Sequence, residues 1–176
     1  MKKDKKIVAI SGKQFSGKDT VADIFAAELE GFVKAPLAKA IKQKFSEEKG
    51  LAVDIIEMNK PVYRVDLIEL GNRMRKIDSD YWIKLVLEAG DNLIVSDMRV
   101  KNEYESFTKR KAIKIRVNSP REERAKRGLI VSEFDTTEVD LDDITEWDYV
   151  INNDGTHEEL KQKARELVKE IRQRFA

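Results

Sequence analysis

The chain has 176 residues, with 34 lysines and arginines against 33 aspartates and glutamates, and no cysteine. That length suits one compact α/β domain, and a net charge of +1 gives no global pull toward nucleic acid or an anionic membrane. Lack of cysteine excludes disulfides, thiolate nucleophiles and cysteine-based zinc sites, and fits a reducing compartment, so a cytoplasmic location is expected.

The chain opens with the basic run Met-Lys-Lys-Asp-Lys-Lys, which reads as a solvated tail. The apolar run after it is about five residues, too short for a signal-peptide core, and nothing further on approaches the roughly 20 apolar residues of a membrane span. Ile7 to Ser11 then reads as a buried strand and Val21 to Leu29 as a helix. Between them lies Gly12-Lys13-Gln14-Phe15-Ser16-Gly17-Lys18-Asp19-Thr20. Two glycines at this spacing, between a strand and a helix, form a nest of backbone amides that receives an anion at the helix N-terminus. The loop therefore points to nucleotide binding, with Lys18 on the β- and γ-phosphates. The position after that lysine normally offers a Ser or Thr hydroxyl to magnesium; here it is Asp19, which can ligate magnesium directly or through water, with Thr20 as a neighbouring hydroxyl.

Further strands are expected at Phe32 to Ala35, Leu93 to Ser96, Ile113 to Val117 and Tyr149 to Ile151. Their alternation with helical patterns predicts a parallel sheet of about five strands with helices on both faces. Helices are expected over Pro36 to Lys49, Val62 to Lys76 and Tyr81 to Ala89, the last capped by Asp78-Ser79-Asp80, and Thr156 is expected to cap the final helix, which carries His157. The helical stretch between the second and third strands exceeds one crossover and offers a wall where an acceptor can bind. We expect one domain over 1–176, with this insertion at about 36–90 and a lid at about 118–145.

In such sheets ligands sit beyond the carboxyl ends of the strands. Asp97 and Arg99 stand just past the third strand, one suited to a magnesium shell or to accepting a proton, the other to gripping a phosphate. Arg121, Arg124 and Arg127 are spaced by three, so on a helix they share a face that can close over a nucleotide. Within the insertion, Lys39, Lys42, Arg64, Arg73 and Arg75 can recognise a phosphate on the acceptor, with Lys39 and Arg64 the best placed. Tyr63, Tyr81 and Trp82 fit either a base-stacking role or the core.

Taken together, these residues resemble P-loop kinases of the nucleoside monophosphate kinase superfamily, especially phage-type deoxynucleoside monophosphate kinases and animal-type phosphomevalonate kinases. Both branches share Gly-Lys-Asp, as in Gly17-Lys18-Asp19, and an Asp-x-Arg like Asp97 to Arg99. Both show Pro-Leu or Pro-Ile at the start of a helix, like Pro36-Leu37, and a tail pattern similar to Thr137-Glu138, Leu141-Asp142 and Asp148 to Gly155. The segment Arg124 to Gly128 looks like an Arg-x-x-Arg-Gly lid.

The resemblance implies a three-layer P-loop kinase fold with a lid, ATP and Mg²⁺ as cofactors, and a small phosphorylated acceptor, in a monomer or homodimer with no nucleic acid or membrane partner. It implies that Gly12 through Thr20 and Asn153, Asp154 and Gly155 hold the ATP, and that Asp19, Thr20 and Asp97 serve the metal. Lys18, Asp97, Arg99, Arg124 and Arg127 are the expected catalytic set, and Lys39, Arg64, Arg99 and Trp82 the expected acceptor set. Tyr81 to Leu85 and Ile151 to Leu160 look more like the deoxynucleotide branch. A (deoxy)nucleoside monophosphate is therefore the preferred acceptor, and phosphomevalonate the alternative. A nucleotide-dependent switch is a third reading, although no Asn-Lys-x-Asp guanine-reading element is present.

Overall fold

The computed structural model describes residues 5–176; most of the basic N-terminal tail expected above lies outside the described residues. In chain order the elements are β1 (Lys6–Ser11), α1 (Lys18–Glu28), β2 (Val33–Lys34), α2 (Leu37–Lys49), α3 (Val53–Met58), α4 (Lys60–Ile77), α5 (Tyr81–Leu87), β3 (Asn92–Met98), α6 (Lys101–Lys109), β4 (Ile113–Asn118), α7 (Arg121–Arg127), α8 (Thr136–Val139), β5 (Tyr149–Asn152) and α9 (His157–Arg174). The five strands form a parallel sheet in the order β2-β3-β1-β4-β5. This is the expected three-layer arrangement. Central strands buried on both faces explain the near-continuous apolar runs Ile7 to Ile10 and Leu93 to Val95.

Alternate residues of those strands feed two separate cores. Val8, Ile10, Ile94, Ile113, Ile115 and Val117 face α1 and α9, where Phe25, Leu160, Ala164 and Val168 meet them. Ile7, Ala9, Leu93 and Val95 face the opposite layer and pack with Phe45, Leu70, Trp82, Ile83 and Phe107. Because every strand runs the same way, Ser11, Lys34, Met98, Asn118 and Asn152 all end on one edge of the sheet. The register between β1 and β3 shifts after Ala9, so that Ser11 pairs with Met98.

Several local expectations need correction. Asp80 sits at the start of α5, but its side chain makes no cap bond. Its carboxylate instead accepts from Ser106 Oγ at 2.9 Å and Arg110 at 3.3 Å, tying α5 to α6. A short helix, α3, precedes α4, and β2 has only two residues because it pairs solely with β3 at the sheet's edge. Thr156 behaves as expected: its Oγ accepts from Glu159 N–H, while the Glu159 carboxylate accepts from Thr156 N–H at 2.6 Å. Among the described residues no helix is long and apolar enough to cross a membrane. Replacing this cap, Thr156→Ala, is expected to cost about 1 kcal/mol, measured as a lower urea midpoint with an unchanged m-value.

Candidate active site

The loop leaving β1 has the geometry its sequence implies. A side chain at Gly12 would meet Ser16 Oγ at 2.4 Å and the Val117 carbonyl at 2.8 Å, and the latter is backbone that cannot move aside. Gly17 has φ +95° and opens α1 with no side-chain cap, leaving the first amides of that helix to an anion. Phe15 also lies in the left-handed region, at φ 60°, so the loop turns back on itself over the strand end. Ser16 Oγ is buried and has no partner among the described residues. A buried donor aimed into a glycine cradle fits a phosphate oxygen.

Lys18 is 6% exposed, and its ammonium meets a single carboxylate, Asp19, at 3.4 Å. Burial, reinforced by the Arg99 charge, lowers its pKa from the usual lysine value, while Asp19 and Asp97 pull it partly back. A lysine that is uncomfortable while its neighbourhood lacks anions is suited to receiving phosphate.

Asp97 and Arg99 stand beside it, but their side chains serve different ends. Both Asp97 oxygens accept backbone N–H groups at the start of α2, from Leu37 at 2.7 Å and Ala38 at 2.8 Å. The carboxylate therefore anchors the insertion to the sheet edge, which accounts for Pro36-Leu37 beginning a helix there. Arg99 pairs with Glu138, a residue quoted from sequence only as part of the tail pattern. Glu138 is buried, accepts from Gln14 N–H at 2.9 Å, and lies 4.0 Å from Arg64.

The other cations of the insertion have separate partners: Lys42 pairs with Glu57, Arg73 with Glu48 and Arg75 with buried Glu103. Arg64 instead approaches Glu138, and its buried Nε has no partner among the described residues. Lys39 is exposed on the first turn of α2. Trp82 does not belong to the site. It is 1% exposed, donates its indole N–H to the Gly71 carbonyl at 3.0 Å, and packs edge-on against Tyr81. Tyr63 likewise packs on Phe45.

The three arginines of α7 do not act as one face. Arg121 turns outward to Glu133, whereas Arg124 donates to the Gln14 and Ser119 carbonyls. Arg127 donates to the Phe15 carbonyl at 3.0 Å and to Ser119 Oγ at 2.9 Å. The 128–139 segment is held down as well. Gln14 exchanges side-chain hydrogen bonds with the Val131 backbone, and the Phe15 ring occupies the space a Gly128 side chain would take. Asn153 closes the loop from the other side, donating to the Ser16 carbonyl at 2.8 Å.

Beside these contacts a cavity of about 550 Å³ opens between the ends of β4 and β5. Its lining includes Lys13, Asn118, Arg124, Asn152 and Asp154. Arg116, which the sequence did not single out, reaches into it from β4 and bonds Ser11 Oγ and Asp142. Among the described residues no group of three or more His, Cys, Asp or Glu side chains is gathered to hold a metal. Asp19 and Thr20 stand in the first turn of α1, directly after Lys18, with oxygen donors of the kind magnesium takes.

The model of the phosphomevalonate kinase family matches residues 10–113, more than half of the chain, from the phosphate loop to the start of β4. The chain belongs to the phosphomevalonate kinase family. Membership makes it a P-loop kinase, in agreement with the loop, the sheet order and the cations described above. Solved structures share the fold of this kinase at low identity. Shikimate kinase from Acinetobacter baumannii, in complex with shikimate, is 16% identical over 96% of this chain and 94% of that one, with a TM-score of 0.57. Dephospho-CoA kinase from Campylobacter jejuni is 15% identical over 94% and 96%, with a TM-score of 0.51. Shikimate kinase from Aquifex aeolicus is 16% identical over 93% and 96%, with a TM-score of 0.51.

The state of Lys18 leads to a stability prediction. Its lowered pKa means that the unfolded chain binds the Lys18 proton more tightly, so folding carries a penalty near neutral pH that fades as pH rises toward the usual lysine range. Without nucleotide, Lys18→Met should therefore unfold at higher urea than the parent at pH 7, and the gap should narrow by about pH 10. A parent that is more stable than the variant at pH 7 would contradict this account of the site.

Proposed function

We propose that this kinase transfers the γ-phosphoryl group of ATP to the phosphate of a small phosphorylated acceptor, giving ADP and a diphosphate. The observation that carries the reading is the contrast between cations and carboxylates at the loop. Lys18 and Arg99 stand close together there and Arg64 approaches Glu138 beside them, while Asp97 and Glu138 already accept hydrogen bonds from protein donors and Asp19 faces Lys18. A hydroxyl acceptor needs a base to take its proton; a phosphate monoester presents an ionised oxygen and needs only positioning and charge. In the transfer, an acceptor-phosphate oxygen forms a bond to the γ-phosphorus as the bond from that phosphorus to the β–γ bridging oxygen breaks. The electron pair stays on ADP.

In this reading Gly12, Lys13, Gln14, Phe15, Ser16, Gly17 and Lys18 cradle the donor phosphates, and the cavity beside Asn153 to Gly155 takes the base and ribose. Arg99 and Arg64 grip the acceptor phosphate, with Lys39 at the rim. Arg124 and Arg127 seat the lid on the loop, where their charge faces the transferring group. A magnesium ion on the nucleotide, reached by Asp19 and Thr20, neutralises phosphate charge when bound.

For the acceptor, we place a small branched acid phosphate of the phosphomevalonate type ahead of a nucleoside monophosphate, which reverses the order expected from sequence. The family match supports it, and so does the burial of Trp82, which removes it as a base-stacking platform. The nucleotide reading retains the support of the Tyr81 to Leu85 and Ile151 to Leu160 patterns.

A coupled ADP-release assay over phosphomevalonate and a panel of nucleoside and deoxynucleoside monophosphates separates the two, with turnover of phosphomevalonate and indifference to nucleobases expected. Lys18→Ala should lower kcat on the order of 10³-fold in a chain that still folds. Full activity in that variant would sink the assignment. Arg64→Ala should raise KM for the acceptor by on the order of tenfold or more while leaving KM for ATP nearly unchanged.

A further inference from the structure

Glu138 is the most constrained carboxylate near the loop that no step of the reaction uses. Its side chain is 1% exposed and touches three elements beyond its own helix. One oxygen accepts from Gln14 N–H in the phosphate loop; the other pairs with Arg99 beyond β3 and faces Arg64 of α4 at 4.0 Å. The same segment adds the Thr137 carbonyl, which accepts from Arg99 at 3.3 Å. Arg99 is also fixed through its backbone, donating N–H to Glu103 at 2.8 Å.

A buried carboxylate between two guanidinium groups is costly to desolvate, and removing one member of such a set leaves the others uncompensated. The contacts do not exhaust the arginines, however. Glu138 takes one nitrogen of Arg99 and stands at the limit of ion-pair distance from one nitrogen of Arg64, whose buried Nε has no partner among the described residues. The carboxylate is thus placed as a fixed counter-charge behind the two cations, leaving donor capacity for a further anion.

We propose that Glu138 is a positioning residue of the kinase: from the lid side it holds Arg99 and Arg64 in register with the phosphate loop, so that the acceptor phosphate meets a preset pair of guanidinium groups. This rests on the reading of those arginines as the acceptor-phosphate cations. It explains why Glu138 is buried while the acidic residues around it, Glu133, Asp135, Asp140 and Asp142, are partly or fully exposed. It also makes docking of the lid segment and assembly of the acceptor site a single event, because one carboxylate belongs to both.

The test is equilibrium binding of inorganic phosphate to the ADP-saturated protein, by calorimetry, in the parent, Glu138→Gln, Glu138→Asp, Arg99→Ala and the Glu138→Gln/Arg99→Ala double variant. Glu138→Gln should weaken phosphate binding by about tenfold or more, with ADP affinity within about threefold of the parent. Glu138→Asp, which keeps the charge, should fall between the parent and Glu138→Gln. The double variant should bind phosphate no more weakly than Arg99→Ala alone. If Glu138→Gln does not fold, the intermediate loss in Glu138→Asp with intact ADP binding carries the same meaning. Unchanged or tighter phosphate binding in Glu138→Gln, with Arg99→Ala weakened, overturns the role of Glu138 alone. ADP affinity falling in step with phosphate affinity overturns it in favour of a purely structural part. Phosphate binding indifferent to Arg99→Ala overturns both this role and the acceptor reading beneath it.

Discussion

The active edge of this kinase is organised around concentrated positive charge. Lys18 and Arg99 stand close together at the loop and Arg64 approaches Glu138 beside them, and burial strengthens their mutual repulsion as well as their attraction for anions. The chain offsets that repulsion with only a few carboxylates. Asp19 meets Lys18 at 3.4 Å and Glu138 sits between Arg99 and Arg64. The residual discomfort shows in the lowered pKa of Lys18, whose largest cause is desolvation and whose second is Arg99. Phosphates relieve what the protein leaves uncompensated, so affinity for them is stored in the fold itself.

Two carboxylates connect this charge to the architecture. Asp97 receives the first amides of α2 on both of its oxygens, so the insertion that supplies Arg64 is fixed to the strand that precedes Arg99. Glu138 does the same from the other side, joining the lid segment to the phosphate loop through Gln14. Arg124 and Arg127 add bonds to the carbonyls of Gln14 and Phe15, and Asn153 adds one to Ser16. The loop is tied to the neighbouring segments by these bonds, which suits the proposed transfer between two phosphates, where placement counts for more than proton movement.

The periodic parts of the fold were legible in the sequence. Strand runs such as Ile7 to Ser11 carry a strong local signal, and so do the glycines whose missing side chains are required at Gly12 and Gly17. Thr156 was legible as a cap because its partner, Glu159, lies three residues away. The readings that needed correction concern long-range contacts. Trp82 was open between base-stacking and core because helical spacing does not say which layer a helix meets. Arg121 separated from Arg124 and Arg127 because it pairs outward with a half-buried partner, Glu133, in the segment beyond the helix. Asp97 looked available for chemistry until the α2 amides appeared sixty positions earlier in the chain. Glu138 was quoted only within the tail pattern of a lid segment, and nothing local marked it as buried; only the approach of Arg64, Arg99 and Gln14 in space makes it part of the site.

In the proposed reaction the receiving atom is an oxygen of a phosphate, met by cations near the loop, while the Asp97 and Glu138 carboxylates are already engaged by protein donors. The most direct measurement follows the transferred phosphorus by ³¹P NMR after turnover with ATP and the acceptor identified by ADP release. Transfer to phosphate gives a product whose new phosphorus is coupled to the acceptor's own phosphorus, the signature of a diphosphate. A new phosphate monoester on a hydroxyl carbon, with the acceptor's original phosphorus unchanged, would contradict it.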